Sequence, residues 1–596
     1  ERWLAHLPDR YAADATAEDA LADVALLDAC TPGDDAPRVD LRAGSAGTWV
    51  RVVHRRAPLA LSDVLPLLEN LGLRAIEQTA YPVGGDGLAI DVYRVERADG
   101  VPLEVDRDGP LLVPALQRLL AGGVASGELD ALVLSAGLDL RRVMLLRALE
   151  RTYVQIHVAA SRTFVARTLV RHPDAAAALL DAFAARHDPD LPGTSDPLAG
   201  NDPARVAAVE EADARFFATL ADVASLASDA TLRGLYDLVA AIVRTNHFAR
   251  EDGAIALKIA SPQVAGMPEP RPLYEIAVSG YGLEGVHLRG GRIARGGIRW
   301  SDRPDDVRTE VLGLMKTQTT KNAVIVPTGS KGGFVVEHAP DDPAALRAYV
   351  KRTYETFIGA LLDVTDDRRE GEVVHPPRTV IHDEDDPYLV VAADKGTATF
   401  SDAANAIAQE RGFWLGDAFA SGGEHGYDHK AEGITARGTW VSVRRHLRER
   451  GIDPDVGPIR TVGIGDMGGD VFGNGMLAGP HVHLLAAFDH RHVFLDPQPD
   501  PERAYAERRR SFDAADGSWG AYDPAALGPG GGVWPRDAKR IPLSEEVRAL
   551  LNLDADAASG PDLVRAILRA DVDLLWNGGV GTYVKAASER HADVGD

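Results

Sequence analysis

Two lysines and an arginine lie in polar or glycine-rich stretches near the middle of the chain. Arg295 precedes two glycines, Lys321 stands just before an apolar run, and Lys331 lies within Gly329–Gly333. In a chain with a formal net charge of −25, such a basic cluster is suited to hold a small carboxylate. Glycine-rich, partly desolvated surroundings can lower the pKa of a lysine toward neutrality, as proton transfer at neutral pH requires. Lys331 is therefore our candidate acid or base.

The segment Gly329–Gly333 has two other interpretations. It could be a phosphate-binding loop, but no glycine lies five residues before Gly329, and Lys331 is followed by glycine rather than serine or threonine. This spacing departs from that of a P-loop. It could also be a solvated surface loop. The apolar run from Lys321 to Pro327 predicts a buried strand, with Lys321 before it and Lys331 after it.

A second candidate is Asp394, which follows the apolar run Leu389–Ala393. Ligand sites gather where the strands of α/β sheets end, so Asp394 is placed to donate or accept a proton. Alternatively, Asp394 caps the helix that begins near Ser401 or ends a turn.

A third group is a glycine motif between two predicted strands. Gly463, Gly465 and Gly468 follow the strand Ile459–Val462 and open a helical stretch, and the next strand ends in Asp489, 21 residues after Gly468. This is the context of a dinucleotide-binding fold, in which the pyrophosphate meets the helix N-terminus. A carboxylate at Asp489 would bind the ribose hydroxyls and repel a 2′-phosphate, which predicts NAD rather than NADP.

Asp489 also has a simpler interpretation. It could merely start a turn that runs to His492, and the nearby Arg491 could then favour a phosphate.

The elements that precede these motifs indicate an α+β module and a helical region. Thr48–Val53 alternates as a strand, a helix follows Ser62, and two further alternating segments flank the turn Gly84–Gly87. This order resembles the small amino-acid-sensing modules called ACT domains, which implies an amino-acid effector. A structural module without a ligand is the alternative.

After Ala131, alanine and leucine increase while glycine and proline become scarce, which indicates helices up to Arg250. From Ala254 onward, apolar β-rich runs alternate with helical patterns, as in an α/β domain. We predict five regions along the chain. They are a preceding module or linker (1–47), an ACT-like module (48–125), a helical region (126–252), an α/β substrate-binding domain (253–440) and an incomplete Rossmann-like domain (441–596).

Composition limits the function classes. The 596 residues contain 89 acidic and 64 basic side chains, which argues against a general nucleic-acid binder. A single cysteine, Cys30, suits a reducing cytoplasm, and we find neither a signal peptide nor an apolar run long enough to span a membrane. Because the sequence starts without methionine and ends in a polar run, we expect it to be part of a longer chain.

The motifs together resemble one enzyme family. In the order seen in glutamate dehydrogenases, the chain carries Arg295–Arg299, Gln318 with Lys321, Gly329–Gly333, Ala392–Asp394 and Thr435–Gly438. It is similar to the large, NAD-specific bacterial glutamate dehydrogenases, closely from Ala254 onward, including Trp576–Tyr583, and more loosely before that. The implied fold class is multidomain α/β and α+β, with an ACT-like N-terminal module, a helical region, a catalytic domain and a Rossmann-type NAD-binding domain.

The resemblance also implies roles for individual residues. Lys331 would activate water for attack on an imine, Asp394 would transfer protons, and Gln318 and Lys321 would hold the α-carboxylate of L-glutamate. Arg295 stands where the small enzymes of this family carry a lysine for the side-chain carboxylate. The residues implied to contact NAD are Thr435, Gly463, Gly465, Asp466, Met467, Gly468, Asp489 and Asn577. The products would be 2-oxoglutarate and ammonium, and the assembly a homo-oligomer.

Two departures and two rival functions qualify this reading. Lys321 and Lys331 are two residues closer together than in the small enzymes, and the segment that completes their side-chain pocket is absent. A dehydrogenase for an apolar amino acid is a rival, but burying the charge of Arg295 beside a methyl group would be costly. An inactive amino-acid-sensing protein is another, against which Lys331 and Asp394 both argue.

Two further motifs have weaker functional interpretations. His425 and His429 lie four residues apart but lack the order of a zinc-binding helix, so we predict no metal. The acidic run Asp383–Asp386 precedes a proline, and we predict that it is a solvated turn.

Overall fold

The computed structural model describes residues 3–589 except 32, 34, 45–46, 56–58, 85–86, 323–327, 395–396, 398, 425–427, 515–516 and 579–585. The chain forms two compact units, of which the first ends at Gly423 and the second begins at Glu424. Among the described residues, none of the helices combines the length and the apolar content that a membrane span requires.

The N-terminal module is a four-stranded antiparallel sheet with helices on both faces. Its elements are α1 (Asp9–Asp14), α2 (Ala17–Asp28), β1 (Arg38–Gly44), β2 (Gly47–His54), α3 (Leu61–Asn70), β3 (Leu73–Val83), β4 (Leu88–Arg97) and α4 (Val105–Ala121). The strand order is β1-β2-β4-β3. One face packs on α3 and α4, and the other on α1 and α2.

The predicted start of this module at residue 48 is wrong. Strand β1 lies within the predicted linker 1–47, yet it pairs with β2 from Arg38 to Gly44. Only Val39 and Leu41 alternate into its core, so the strand carries too little apolar periodicity to be recognised from sequence.

The helical region contains six α-helices around one core. They are α5 (Leu132–Ser135), α6 (Leu140–Ile156), α7 (Arg162–Arg171), α8 (Pro173–His187), α9 (Pro203–Thr219) and α10 (Leu226–Ala241). The next strand, β5 (Ile242–Thr245), lies inside the predicted helical range 126–252 but pairs with the sheet that follows. The boundary at 252/253 therefore cuts through that sheet.

The rest of the first unit is built on an eight-stranded mixed sheet of order β14-β13-β9-β10-β8-β7-β6-β5. Its remaining strands are β6 (Ile255–Ile259), β7 (Tyr274–Gly280), β8 (Leu283–Arg289), β9 (Ala294–Trp300), β10 (Thr328–Val336), β13 (Val391–Ala393) and β14 (Ala420–Ser421). Around it lie α11 (Val307–Asn322), α12 (Pro343–Leu362), α13 (Ser401–Glu410) and a hairpin of β11 (Asp367–Arg369) and β12 (Glu372–Val374).

The strand predicted over Lys321–Pro327 does not include its first two residues. Lys321 and Asn322 end helix α11, and the following residues 323–327 lie outside the described part of the chain. The helix is anchored by Val307, Val311 and Met315, which are buried at a spacing of four residues. Because these side chains form one buried helical face, the helix continues through Lys321, where the predicted strand would begin.

The second unit contains a five-stranded sheet of order β18-β17-β16-β15-β21. Its elements are α14 (His429–Glu432), α15 (Ile434–Glu449), β15 (Ile459–Ile464), α16 (Asp470–Met476), β16 (Val482–Phe488), β17 (His492–Leu495), α17 (Pro501–Asp513), β18 (Gly532–Pro535), β19 (Ile541–Pro542), α18 (Glu545–Leu551), β20 (Ala557–Ala558), α19 (Gly560–Ile567) and β21 (Leu574–Asn577). Strands β21, β15 and β16 run parallel, as a nucleotide-binding fold requires.

The predicted boundary at 440/441 falls inside α15, and the second unit begins at Glu424. Trp440 explains the difference, because its indole nitrogen donates to the Gly475 carbonyl at 2.8 Å and its ring stacks on Trp576. Helix α15 is therefore part of the core of the second unit.

The acidic run Asp383–Asp386 is only partly the solvated turn that its composition predicts, because the side chains of Glu384 and Asp385 are 73% and 61% exposed whereas those of Asp383 and Asp386 are buried. Asp386 is 2% exposed and binds Lys258 at 2.8 Å and Arg289 at 2.6 Å. Asp383 binds Lys258 at 2.6 Å and Arg244 at 2.5 Å. Cations from distant strands keep these carboxylates inside the protein, which a local pattern does not reveal.

Candidate active site

Neighbouring parallel strands bring Arg295, Lys331 and Asp394 to one region of the eight-stranded sheet. On β10, Gly329 pairs with Arg295 and Gly332 with Ile298 of β9, which places Lys331 opposite Gly297. On the other side of β9, Ala393 pairs with Ile298, so Asp394 follows next to Arg299. Because side chains alternate along a strand, Arg295, Arg299, Lys331 and Asp394 belong to the same face.

Lys331 and Asp394 are in direct contact. The Lys331 ammonium donates to Oδ2 of Asp394, and their side chains are 4% and 20% exposed. The carboxylate is the more exposed member of this pair. A ligand on its open side can therefore exchange a proton with the lysine through the carboxylate. The pairing predicted from the two separate motifs is thus present within one ion pair.

Glycines allow the strands and helix around this pair to approach closely. A Cβ atom at Gly296 would lie 1.5 Å from the Ser330 carbonyl oxygen, and one at Gly333 would lie 2.5 Å from Val311 of α11. The glycine-rich segments therefore serve close packing around the lysine in addition to any ligand contact.

Arg299 is a further member of the site, for which no role was predicted from the sequence. Its Nε donates to Oδ2 of Asp394 at 3.2 Å, and its Nη1 donates to Glu310 of α11 at 2.8 Å. The Ser301 hydroxyl donates to the other Glu310 oxygen at 2.5 Å. Burial would lower the pKa of Arg299, but the hydrogen bond to Glu310 and the charge of Asp394 raise it.

Thr397 fixes the backbone of Asp394. Its hydroxyl donates to the Ile298 carbonyl at 2.7 Å and accepts from the Asp394 amide at 3.1 Å. Sequence reasoning missed Thr397 and Glu310, whose roles depend on contacts with other elements. Arg299 carried a usable signal, because it lies four residues after Arg295 on the same strand face.

The other predicted substrate residues are located less completely. Arg295 is partly exposed on β9, about 13 Å along the strand from Arg299 at 3.3 Å per residue. The backbones of Gln318 and Lys321 belong to the last turns of α11, but their side chains lie outside the described part of the structure.

The glycine motif of the second unit connects β15 to α16. Gly465 has a φ of +136°, and a Cβ atom there would lie 2.9 Å from Phe472. A Cβ atom at Gly463 would lie 2.5 Å from the same ring. Asp466 braces the loop by accepting from the Gly469 amide at 3.1 Å. Because these glycines lack a Cβ atom, the loop backbone can lie close to the start of α16, as the binding of a dinucleotide pyrophosphate requires.

Met467 contributes differently from the rest of the motif. Its side chain is fully buried and belongs to the core of the second unit. A ligand at this loop would therefore not meet the Met467 side chain.

Asp489 follows β16 and has two environments. Its Oδ1 accepts from the amides of Arg491 at 2.7 Å and His492 at 2.5 Å, so it forms the turn between β16 and β17. Its Oδ2 is buried and has no hydrogen-bond partner among the described residues. The turn interpretation is therefore correct for Oδ1.

Asn577 and Thr435 complete the predicted cofactor residues. Asn577 is exposed at the end of β21, paired with Ile464 at the end of β15. Thr435 is exposed in the first turn of α15. Because β15 is flanked by β16 and β21, the ends of these three parallel strands form a switch point where α/β sheets bind ligands.

One group of side chains has the composition of a metal site. Asp366, His375 and Asp385 bring ligand atoms within 4.8 Å of one another. However, Oδ1 of Asp366 already binds Arg244 at 2.5 Å and His375 at 2.8 Å. The group is explained as an extension of the buried ion pairs.

Models of known protein families match three parts of the chain. The family model described as bacterial NAD-glutamate dehydrogenase, catalytic domain, matches residues 215–596. Models for helical motif 3 and the ACT3 domain of glutamate dehydrogenase match residues 124–189 and 39–106. The predicted ACT-like module, helical region and catalytic region are confirmed.

Three curated relatives are named NAD-specific glutamate dehydrogenase. The protein from Halomonas elongata is 46% identical over 92% of this chain, and that from Pseudomonas aeruginosa is 46% identical over 93%. The protein from Mycobacterium tuberculosis is 45% identical over 100%. The chain spans 34%, 34% and 38% of their lengths, about a third. Because the catalytic-domain model matches most of this chain, the chain belongs to the bacterial NAD-glutamate dehydrogenase family.

Proposed function

We propose that the protein catalyses the NAD-dependent oxidative deamination of L-glutamate to 2-oxoglutarate and ammonium. The observation that carries this proposal is the buried Lys331–Asp394 contact, held by Arg299 at the end of β13. Family membership supports the reaction class, and the cationic Arg295 on the same strand face supports an acidic substrate.

Asp394 would first take a proton from the substrate ammonium, and NAD, when bound, would supply the acceptor for the hydride that leaves Cα of glutamate. Neutral Lys331 then removes a proton from the water that attacks the resulting iminium carbon, and Asp394 gives its proton to the nitrogen of the carbinolamine. As the C–N bond breaks, Asp394 takes the hydroxyl proton, and the ammonia that leaves is protonated in water. Because Lys331 and Asp394 share a hydrogen bond, the proton taken by the lysine can be returned through the carboxylate.

We assign substrate recognition to three cationic or polar residues. Arg295 would hold the side-chain carboxylate, while Gln318 and Lys321 would hold the α-carboxylate. The family resemblance supports these roles, and the position of Arg295 on the face of Lys331 is consistent with them.

The preference for NAD over NADP rests on Asp489. Its unpartnered Oδ2 at the end of β16 can accept hydrogen bonds from ribose hydroxyls, whereas a 2′-phosphate would be repelled. The loop of Gly463, Gly465, Asp466 and Gly468 would hold the pyrophosphate.

Three wider properties are part of the proposal. The ACT-like module would bind an amino-acid effector, and the enzyme would act as a homo-oligomer. A cytoplasmic location is supported by the single cysteine, since extracellular proteins more often carry disulfides.

The test is NADH formation from glutamate by the full-length protein and its Lys331→Ala variant. We expect the variant to lose about 10²-fold or more of kcat, the contribution of a proton-transferring group, with an unchanged Tm. Lys351→Ala is the matched control, because Lys351 is 53% exposed on α12. No turnover by the wild type would favour the inactive sensor, and leucine turnover above glutamate turnover would favour the apolar substrate.

A further inference from the structure

A large cavity in the first unit has none of Arg299, Lys331 and Asp394 among its lining residues. Its volume is about 490 Å³, within the range of small-molecule sites. It is formed where α12, the β11–β12 hairpin and the segment after α13 meet. Trp414 connects this wall to the strand of the active site, because its indole nitrogen donates to the Pro387 carbonyl at 2.6 Å.

Three arginines, Arg250, Arg369 and Arg411, line this cavity together with two carboxylates. Asp363 accepts from Arg250 through both of its oxygens at 2.7 Å and from Arg411 at 2.7 Å. Asp367 accepts from the Trp414 amide at 2.9 Å and from Nε of Arg369 at 3.2 Å. Donors of the protein therefore already engage both carboxylates.

The arginines, in contrast, keep donors in excess. Among the described residues, no partner engages Nη1 of Arg250, Nη2 of Arg411 or either Nη of Arg369. Three guanidinium groups against two carboxylates leave a net positive charge in the cavity, which attracts an anion. Arg369 is the most accessible, with a side chain that is 66% exposed.

The rest of the wall is apolar. Leu362, Val374, Pro376, Pro377 and Phe413 line the cavity beside the arginines. An inorganic ion would leave this surface in contact with water, whereas a flat organic group would cover it.

We propose that this cavity binds a flat organic anion, with its carboxylate or phosphate on Arg369 and Arg250 and its apolar part against Pro376, Pro377 and Phe413. Such a ligand would occupy a site that shares none of Arg299, Lys331 and Asp394 with the candidate active site. The proposal does not depend on the reaction catalysed.

The test is calorimetric titration of the full-length protein with phenyl phosphate and with benzoate, at saturating NADH and glutamate so that the active site is filled. We expect Arg369→Ala to weaken binding of the preferred probe about tenfold or more, while Arg369→Lys retains part of the affinity. Arg215→Ala is the matched control, because Arg215 is 54% exposed and also forms one surface ion pair.

The two probes decide whether the charged group is a phosphate or a carboxylate, and binding of either supports the site. Absence of binding by both probes would overturn the proposal. So would equal affinity of wild type and Arg369→Ala. Inorganic phosphate that binds as tightly as phenyl phosphate would overturn the role of the apolar wall.

Discussion

The contacts of Asp394 divide the roles within the site. Lys331 and Arg299 both donate to its Oδ2, Glu310 holds Arg299 from the far side, and Ser301 donates to Glu310. Arg299 is thus a positioning residue that touches Asp394, and Glu310 acts on Asp394 through Arg299.

Glu310→Gln should leave the fold intact and lower kcat about tenfold. Without the Glu310 charge, Arg299 would interact more strongly with Asp394 and hold it in its ionised form, so the acidic limb of the kcat profile should move to lower pH. The pH dependence of kcat measures this shift, with Glu211→Gln as the control because Glu211 is 74% exposed on α9. A purely structural role for Glu310 would lower Tm without moving the profile.

The Asp489→Ser variant distinguishes the role of Asp489 in the turn from its proposed role in cofactor binding. Serine can still accept from the amides of the turn, but it carries no charge to repel a 2′-phosphate. We expect the ratio of kcat/KM for NADP to that for NAD to rise about tenfold, the effect of roughly 1.4 kcal/mol. Asp489→Ala should change the ratio equally while also lowering Tm, and an unchanged ratio in both variants would show that Asp489 does not read the ribose.

Sequence reasoning at this scale is strongest where chemistry is local. Lys331 and Asp394 could be selected because each combines a reactive side chain with a neighbouring apolar run. Arg299 shares a strand face with Arg295, but its contacts with Asp394 and Glu310 join residues 95 and 11 positions apart, so neither Arg299 nor Glu310 was assigned a role. The same limit explains the error at Asp383 and Asp386, whose burial depends on Lys258 and Arg289.

At the scale of elements, close contact between β9 and β10 positions Lys331. Gly296→Ala would bring a Cβ atom against the Ser330 carbonyl, so we expect a loss of about 3 kcal/mol in the free energy of unfolding, the upper range for overpacking. Urea unfolding measures the change. Gly438→Ala is the opposite control, because no heavy atom lies within 4 Å of its Cβ position in α15 and alanine favours a helix by about 1 kcal/mol. Equal effects of the two changes would contradict this packing argument.

Elements with strong sequence periodicity could be predicted, whereas elements whose extent depends on pairing or packing with other elements could not. The glycine motif gave β15, α16 and β16 in the correct order, because a strand, a tight turn and a helix each leave a local signal. Strands β1 and β5 and the end of α11 were misjudged. Their extents are decided by pairing or by packing on other elements.

At the scale of the whole molecule, buried neutral histidines should make the first unit sensitive to acid. Burial lowers the pKa of His247 and of His287 to about 3. Between that value and the ordinary pKa of about 6.5, the unfolded chain binds protons that the folded chain excludes. Stability is therefore lost as pH falls through this window, by up to about 1.4 kcal/mol per pH unit for each histidine.

In the His287→Met variant, the free energy of unfolding should depend less on pH, by the contribution of one histidine. This expectation holds whatever the change does to stability at neutral pH. Hydrogen exchange of peptides from β7 and β8, measured between pH 4.5 and 7, reports the free energy of opening in this unit. An identical slope in wild type and variant would show that His287 takes up no proton on unfolding.

The pairing of β5 with β6 also determines where the protein can be divided. A fragment that began after Thr245 would expose the backbone N–H and C=O groups of β6 along a new sheet edge, which is a template for aggregation. It would also lack Arg244, leaving Asp366 and Asp383 with less counter-charge inside the sheet. We therefore expect chimaeras between relatives to fold only when the junction from α10 through β6 comes from one parent.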